Sequence, residues 1–437
     1  MIFQSEYPLL RLKACVDVRP SGVDKHSFDD EIAVRLCNYT DVYKYDHITG
    51  DMDFLQATAT EAEINRFTLS PGDVIITKDS ETPEDIAASA LVMPSAKGVV
   101  CGYHLALLRP YEAFYGPFVA WAMRSREVLS QFTIFARGIT RFGLTTDAIG
   151  SVLVPTPPAK QQRAIAAFLD RETAKIDALI AEQERLIALL QEKRQAVISQ
   201  AVTKGLDPTV PMKDSGVEQM AKIPASWKIV RLKQLILQGS SISYGIVQPG
   251  EPLDAGVPFI QTTNISSGDF DPDNLQKTTA EIAALYPRSK LVGGEVILGI
   301  RASIGAAYVV PNSLAGTNLS RGIARIEPGN QVTSQFLVCF LRSSAVKSYW
   351  EASKQGSTFN EVSIDTVRHL PVAVPPLSEQ EAIVRFIDMN CRNIDRLRDD
   401  AGQAVILLRE RRAALISAAV TGKIDVREAG AEPAEAA

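Results

Sequence analysis

Apolar residues recur at steps of three, four and seven in two stretches of this chain. From Ala159 to about Thr203 they fall at Ile165, Phe168, Leu169, Ile176, Leu179, Ile180, Leu186, Ile187, Leu190, Val197 and Ile198. Further on they fall at Ile383, Phe386, Ile387, Ile394, Leu397, Leu408, Leu415 and Ile416. Such spacing draws one stripe along a long amphipathic helix. Each stretch follows a Pro-Pro pair, which cannot continue a helix backward. Ser378 and Glu381 predict a capping box at the second start, where the first stretch has Lys160. Gly205 and Gly422 predict left-handed caps at the far ends. Helices of about 44 residues at ~1.5 Å each make rods of roughly 60–65 Å. A rod of that length must bury its stripe, and the expected partner is the other rod, antiparallel to it. The contact positions so expected are Ile165, Phe168, Ile176, Leu179, Ile383, Phe386, Ile394 and Leu397. The basic runs at 193–194 and 409–412 read as a solvated face rather than a ligand contact.

The rest of the chain alternates short Val-, Ile- and Thr-rich runs with glycine-containing turns. Residues 257–261, 295–300, 306–310 and 322–326 read as strands, and 118–124 and 336–342 as short helices. The two helical stretches are copies of each other. PPAKQQRAIAAFLDRETAKID begins at Pro157 and PPLSEQEAIVRFIDMNCRNID at Pro375, an offset of 375 − 157 = 218 residues. Roughly 20 of about 50 aligned positions are identical. A period of that size marks a duplicated domain plus helix rather than a solenoid. Fainter echoes extend the repeat: LSPGDVII at 69–76 matches LVGGEVIL at 291–298, and 118–125 matches 336–343. The expected organisation is α+β with a pseudo-two-fold internal repeat. It comprises a globular domain at 1–156, a helix at 157–206, a second domain at 207–374, a second helix at 375–426 and a disordered tail at 427–437.

Composition narrows the class. With 437 residues, 46% hydrophobic and 22% charged, the chain reads as folded and multi-domain. No apolar run approaches the ~18 residues of a membrane span. The start, MIFQSEYPLL, predicts no secretion signal. Five scattered cysteines without a C-x-x-C pair predict reduced thiols and a cytoplasmic protein. Net charge is −5, but what binds nucleic acid is a local stripe rather than a total. Residues 1–150 carry 14 Lys/Arg against 20 Asp/Glu, and 209–370 carry 15 against 13, so the first half needs clustering to approach phosphate. No lysine follows an acidic residue by two positions, and no Asn-Pro-Pro-aromatic motif or Walker phosphate loop occurs. The histidines (His26, His47, His104, His369) lack metal spacing, and His369 is expected beside a strand. Together these absences favour a binding protein over an enzyme.

Loops between the strands carry side chains that hydrogen-bond base edges and phosphates. In the first half the candidates are Arg19, Ser21, Asn38, Tyr39, Thr40, Lys78, Ser80, Arg137, Thr140 and Arg141. In the second half they are Ser241, Ser243, Tyr244, Thr263, Asn264, Arg301, Ser303, Ser357, Thr358 and Asn360. Arg301 follows a predicted strand and precedes Gly305, which predicts projection from a tight connection.

VPPLSEQEAI at 374–383, with its partner at 157–165, resembles segments of type I restriction–modification specificity subunits. Pro224-x-x-Trp227 with Arg231-Leu232, GEVIL at 294–298 and Gly356-Ser-Thr before Leu370-Pro are similar to the frame of that family's target-recognition domain. The resemblance implies two such domains, each contacting one half of a bipartite asymmetric site in double-stranded DNA, with two antiparallel coiled-coil helices setting the gap. It also implies two methyltransferase subunits bringing S-adenosylmethionine, and restriction–translocase subunits bringing ATP and magnesium. This chain would hold no catalytic residue, cofactor or metal. The first domain departs from the pattern, with Tyr7 opposite Trp227 and no Pro-x-x-Trp. The competing reading is a scaffold that joins proteins through the same helices without DNA, and DNA-dependent assembly separates the two.

Overall fold

The computed structural model describes residues 4–266, 270, 272–353 and 361–426. The chain divides into two compact units, residues 1–184 with 402–437, and residues 185–401. Each unit contains one mixed α/β body and one end of each long helix, Ala159–Lys204 and Leu377–Thr421.

In unit 1 a five-stranded sheet runs in the order Val16–Pro20, Leu105–Pro110, Val74–Thr77, Ser89–Val92, His47–Ile48. A three-stranded sheet orders Leu55–Ala59, Ile32–Cys37 and Val99–Cys101. Strand side chains alternate between faces. Ile75, Leu105 and Leu107 therefore pack with Leu36, Cys37 and Ala57 of the second sheet. Val74, Ile76, Ala106 and Leu108 face the opposite way, onto Phe118, Trp121 and Phe132. Both faces being covered, the central strands Leu105–Pro110, Val74–Thr77 and Ser89–Val92 are largely apolar and buried.

Unit 2 follows the same physical rule. Its four-stranded sheet orders Ser243–Tyr244, Ile323–Ile326, Val296–Gly299 and Ala307–Val309, and a three-stranded sheet orders Gln276–Thr278, Val257–Ile260 and Asn318–Leu319. Val296, Leu298, Ala324 and Ile326 join the cluster around Trp227, Phe336 and Phe340. Ile297 and Ile323 face Ile260, Ile265 and Leu319. In each unit a two-stranded ladder closes the body beside the helix start: Leu9–Arg11 with Leu153–Pro155, and Lys228–Arg231 with Pro371–Val374.

Joints between body and helix recur at the 218-residue offset. Gln162 is buried, donates to Pro157 O at 3.0 Å and Ala113 O at 3.4 Å, and accepts from Tyr115 N at 2.7 Å. Gln380 donates to Pro375 O at 3.0 Å and Gln331 O at 2.9 Å, and accepts from Thr333 N at 2.9 Å. Within unit 1 Arg412 meets Asp177 at 2.8 Å, and Arg409 meets Glu184 at 2.9 Å. The two helix segments therefore run in opposite directions there. Within unit 2 Arg194 meets Asp395 at 3.1 Å. Arg194 and Arg412 thus join one helix to the other, a role that a purely solvated face does not describe.

Two expectations for the helices need correction. The second helix starts at Leu377, placing Ser378 inside the first turn, so no Ser378–Glu381 capping box forms. The Gln380 side chain secures that start instead. Of the predicted stripe, Ile165, Ile176, Ile383 and Ile394 are buried, whereas Leu179, Phe386 and Leu397 stand exposed and Phe168 is half-buried. The stripe is wider than one helix–helix seam. Gly205 (φ 73°) and Gly422 (φ 85°) adopt the expected left-handed caps.

All five cysteines are free. Burial raises the Cys15 thiol from its ordinary 9.0 to about 11, and pushes Cys37 and Cys101 up as well. Raised thiol values in the folded state favour folding up to the ordinary thiol range, and that advantage falls as pH climbs from about 9 toward 11. Alkylation of the native chain at pH 8 is expected to leave Cys15, Cys37 and Cys101 unmodified, whereas urea exposes all three; peptide mass mapping reads the difference.

Candidate functional site

In unit 2 the chain reverses directly after the strand Val296–Gly299. Ser303 N donates to Arg301 O at 2.7 Å and Gly305 N to Gly299 O at 2.9 Å. Ala302 (φ 58°) takes the left-handed conformation that such a reversal requires. Arg301 therefore projects from a tight connection. Its Nε lies 3.9 Å from Glu361 Oε2, and Arg321 Nη2 lies 3.9 Å from the same oxygen. The Arg301 and Arg321 side chains remain 38% and 47% exposed. Ser303 Oγ donates to Thr262 O at 3.3 Å, drawing in the turn Thr262–Ile265. Glycine at 322 permits this approach, since a Cβ there would fall 2.5 Å from Thr262 Cγ2. One cluster thus holds the half-buried Arg301, Glu361, Thr262 and Ser303 with the exposed Arg321, and Thr263 is exposed beside Thr262.

Ser243 and Tyr244 line a separate cleft of about 600 Å³ with Tyr286, Arg288 and Arg368. Ser243 Oγ donates to Arg288 O at 3.2 Å, and Arg368 to Ile242 O at 3.1 Å. Ser241 adjoins it, half-buried. Asn264 is not available to a ligand: it is buried, accepts from Gln261 N at 2.8 Å and donates to Asn274 O at 3.1 Å. Ser357, Thr358 and Asn360 lie outside the described residues.

In unit 1 the strand Phe142–Gly143 pairs with Asp79–Ser80. This ladder brings Thr140 and Arg141 to a cleft of about 510 Å³ with Tyr39, Tyr43, Asp79, Ser80, Glu81 and Asp85. Tyr39 and Tyr43 stack at 5.6 Å. His104 Nδ1 lies 2.9 Å from Asp79 and 3.3 Å from Arg141. Lys78 sits over the Tyr103 ring at 4.6 Å and donates to Ser21 O at 2.9 Å. Thr40 and Arg137 are exposed. The cleft carries three carboxylates, which repel phosphate but suit the amino groups on cytosine and adenine edges.

Other candidates are held by the fold. Ser21 is buried and donates to Cys101 O at 2.5 Å. Ser80 is buried and accepts from Thr82 N at 3.3 Å. Asn38 caps the helix Tyr39–Lys44, accepting from Thr40 N at 3.2 Å. Arg19 pairs with Asp17 at 2.6 Å and donates to Arg66 O at 3.1 Å. Sequence reasoning missed Arg321, Tyr43 and His104, which folding brings to the chosen loops, and Glu361, which directly follows the chosen Asn360. Their residue types carry the same polar signal as the chosen candidates. His369 ends the helix Ile364–His369, directly before the strand Pro371–Val374. Among the described residues no group of His, Cys, Asp and Glu is placed to hold a metal ion, and no helix is long and apolar enough to cross a membrane.

Each α/β body thus carries a polar loop cluster of its own composition. Residues 224–397 match the type I restriction modification DNA specificity domain. The chain is 26% identical over 303 residues to the EcoBI specificity subunit of Escherichia coli, an alignment spanning 68% of this chain and 63% of that subunit's length. With the EcoKI specificity subunit of Escherichia coli K12 it shares 20% identity over 373 residues, 82% of this chain and 75% of the relative. The fold matches a chain solved in work on complex assembly and conformational transition of the type I R-M system, with a TM-score of 0.71 at 19% identity, covering 97% and 100% of the two chains. Residues 224–397 thus carry the family's DNA specificity domain, and the chain as a whole is similar to type I restriction–modification specificity subunits.

Proposed function

We propose that this chain is the non-catalytic subunit that gives a type I restriction–modification complex its DNA sequence. The body in residues 1–156 reads one half of a bipartite asymmetric site in double-stranded DNA, and the body in residues 207–374 reads the other. The helices at 157–206 and 375–426 form the antiparallel coiled coil that sets the gap. The observation that carries this reading is the recurrence of the body–helix joint, Gln162 beside Gln380, under loop clusters of different composition. One scaffold with two surfaces suits two different half-sites. Leu179 and Leu397 are exposed at matching positions of the two helices, and Phe386 is exposed where its counterpart Phe168 is half-buried. These are the docking positions for two methyltransferase subunits, which supply S-adenosylmethionine. Restriction subunits supply ATP and magnesium, and the complex works on cytoplasmic DNA of a bacterium or archaeon.

Purified alone with S-adenosylmethionine and duplex, the chain is expected to transfer no methyl group, whereas the complete complex methylates; tritium incorporation reads both. Methyl transfer by the isolated chain would contradict the proposal. Assembly with partners that never depends on or binds duplex would support a protein scaffold instead.

A further inference from the structure

Ile139 is the most exposed of the large apolar side chains described, at 95%. A single exposed isoleucine is ordinary on a protein surface. This one occupies a built position. Arg137 N donates to Gly143 O at 3.1 Å and Gly143 N to Arg137 O at 2.9 Å, closing the loop at its base. Leu144 N donates to Lys78 O at 2.8 Å, fixing that base to the neighbouring strand. Gly138 (φ 150°) turns so tightly that a Cβ would fall 1.9 Å from Arg141 O. The loop thus holds Ile139 out at its tip instead of leaving it to collapse onto the body.

The neighbours say what the tip meets. Arg137 and Arg141 flank it, both exposed, and Arg137 makes no ion pair among the described residues. Arg141 lies at the edge of the cleft that carries Asp79, Glu81 and Asp85, so phosphate is favoured at the arginines and disfavoured deeper in the cleft. Cations on either side of an apolar tip match the backbone phosphates on either side of a base step. Apolar wedges, isoleucine among them, enter such steps, unstack them and kink the duplex by roughly 20–90°.

We propose that Ile139 is a wedge that enters the base stack in or beside the half-site read by unit 1, with Arg137 and Arg141 on the flanking phosphates. The proposal rests on the DNA-binding reading given above and adds local distortion to it. Specificity in that half-site then comes partly from how easily one base step opens.

The test uses the complete complex and duplexes carrying 2-aminopurine at successive positions of the site, leaving out the methylated bases. The expected result is a fluorescence rise at one step. Ile139→Ala abolishes it, Ile139→Leu retains it, and the salt dependence of binding stays unchanged. Because the side chain is solvent-exposed, Ile139→Ala should unfold like the parent, which thermal denaturation checks. If the complex binds its site and no position brightens, or if the signal survives Ile139→Ala, the wedge is wrong while the DNA reading stands. If Ile139→Ala instead weakens subunit assembly without DNA, the tip docks on protein and the proposal falls. Failure of the parent complex to bind any duplex would sink the underlying reading itself.

Discussion

Replacing Glu295 by alanine is expected to destabilise unit 2 by about 3–5 kcal/mol, the usual result of stranding one partner of a buried ion pair. Glu295 is 1% exposed and accepts from Val292 N at 2.8 Å, Gly293 N at 2.7 Å and Arg325 Nε at 3.0 Å. Alanine leaves two backbone donors unpaired at the turn and Arg325 with only Glu327, at 3.0 Å, to balance its charge. Asp73 does the same work in unit 1, where it is 3% exposed and pairs with Arg109 at 2.7 Å. That hydrogen bond holds the Arg109 guanidinium above its ordinary pKa. Hydrogen exchange of the strands Val296–Gly299 and Ile323–Ile326 reads the loss. Unchanged protection there would show that the pair is dispensable.

The second large effect concerns recognition. Arg301→Ala is expected to weaken binding by about 1–3 kcal/mol at one base position of the half-site proposed for unit 2 if its guanidinium reads guanine. A phosphate contact predicts something different: equal weakening on every sequence and a salt slope shallower by about one unit. Glu361 Oε2 lies 3.9 Å from both Arg301 Nε and Arg321 Nη2 and offsets part of their charge. Glu361→Gln is therefore expected to raise affinity for non-specific duplex and steepen its salt dependence, while discrimination at the specific site falls. Binding unchanged in both variants would place this cluster outside the interface.

Much of this architecture was legible in sequence because it rests on periodicity. Strands at 296–299, 307–309 and 323–326 and helices at 116–123 and 334–341 fall within a residue or two of the hydrophobic runs that predicted them. Gly205 and Gly422 were legible because a helix end demands a particular conformation. Contacts that depend on a distant partner were not. Ser21 and Asn264 have the chemistry of ligand contacts, yet the fold needs the same hydrogen bonds for its own loops. Sequence gives a residue type but not the donor it meets. Glu295 and Asp73 follow the turns VGG and SPG at the head of a strand, and only the arriving arginines show them to be buried ion pairs. Leu179 and Leu397 matched the stripe in spacing but lie on its flank, because a seam between two helices is narrower than a stripe defined by apolar character alone.

The most direct measurement exchanges residues 207–374 for the same segment of another specificity subunit and maps DNA methylation in cells carrying the complete system. One half of the bipartite motif should change, while the other half and the spacing between them stay as they were. Methylation that changes in both halves, or that is indifferent to the exchange, would contradict the claim that each body of this chain reads its own half of the site.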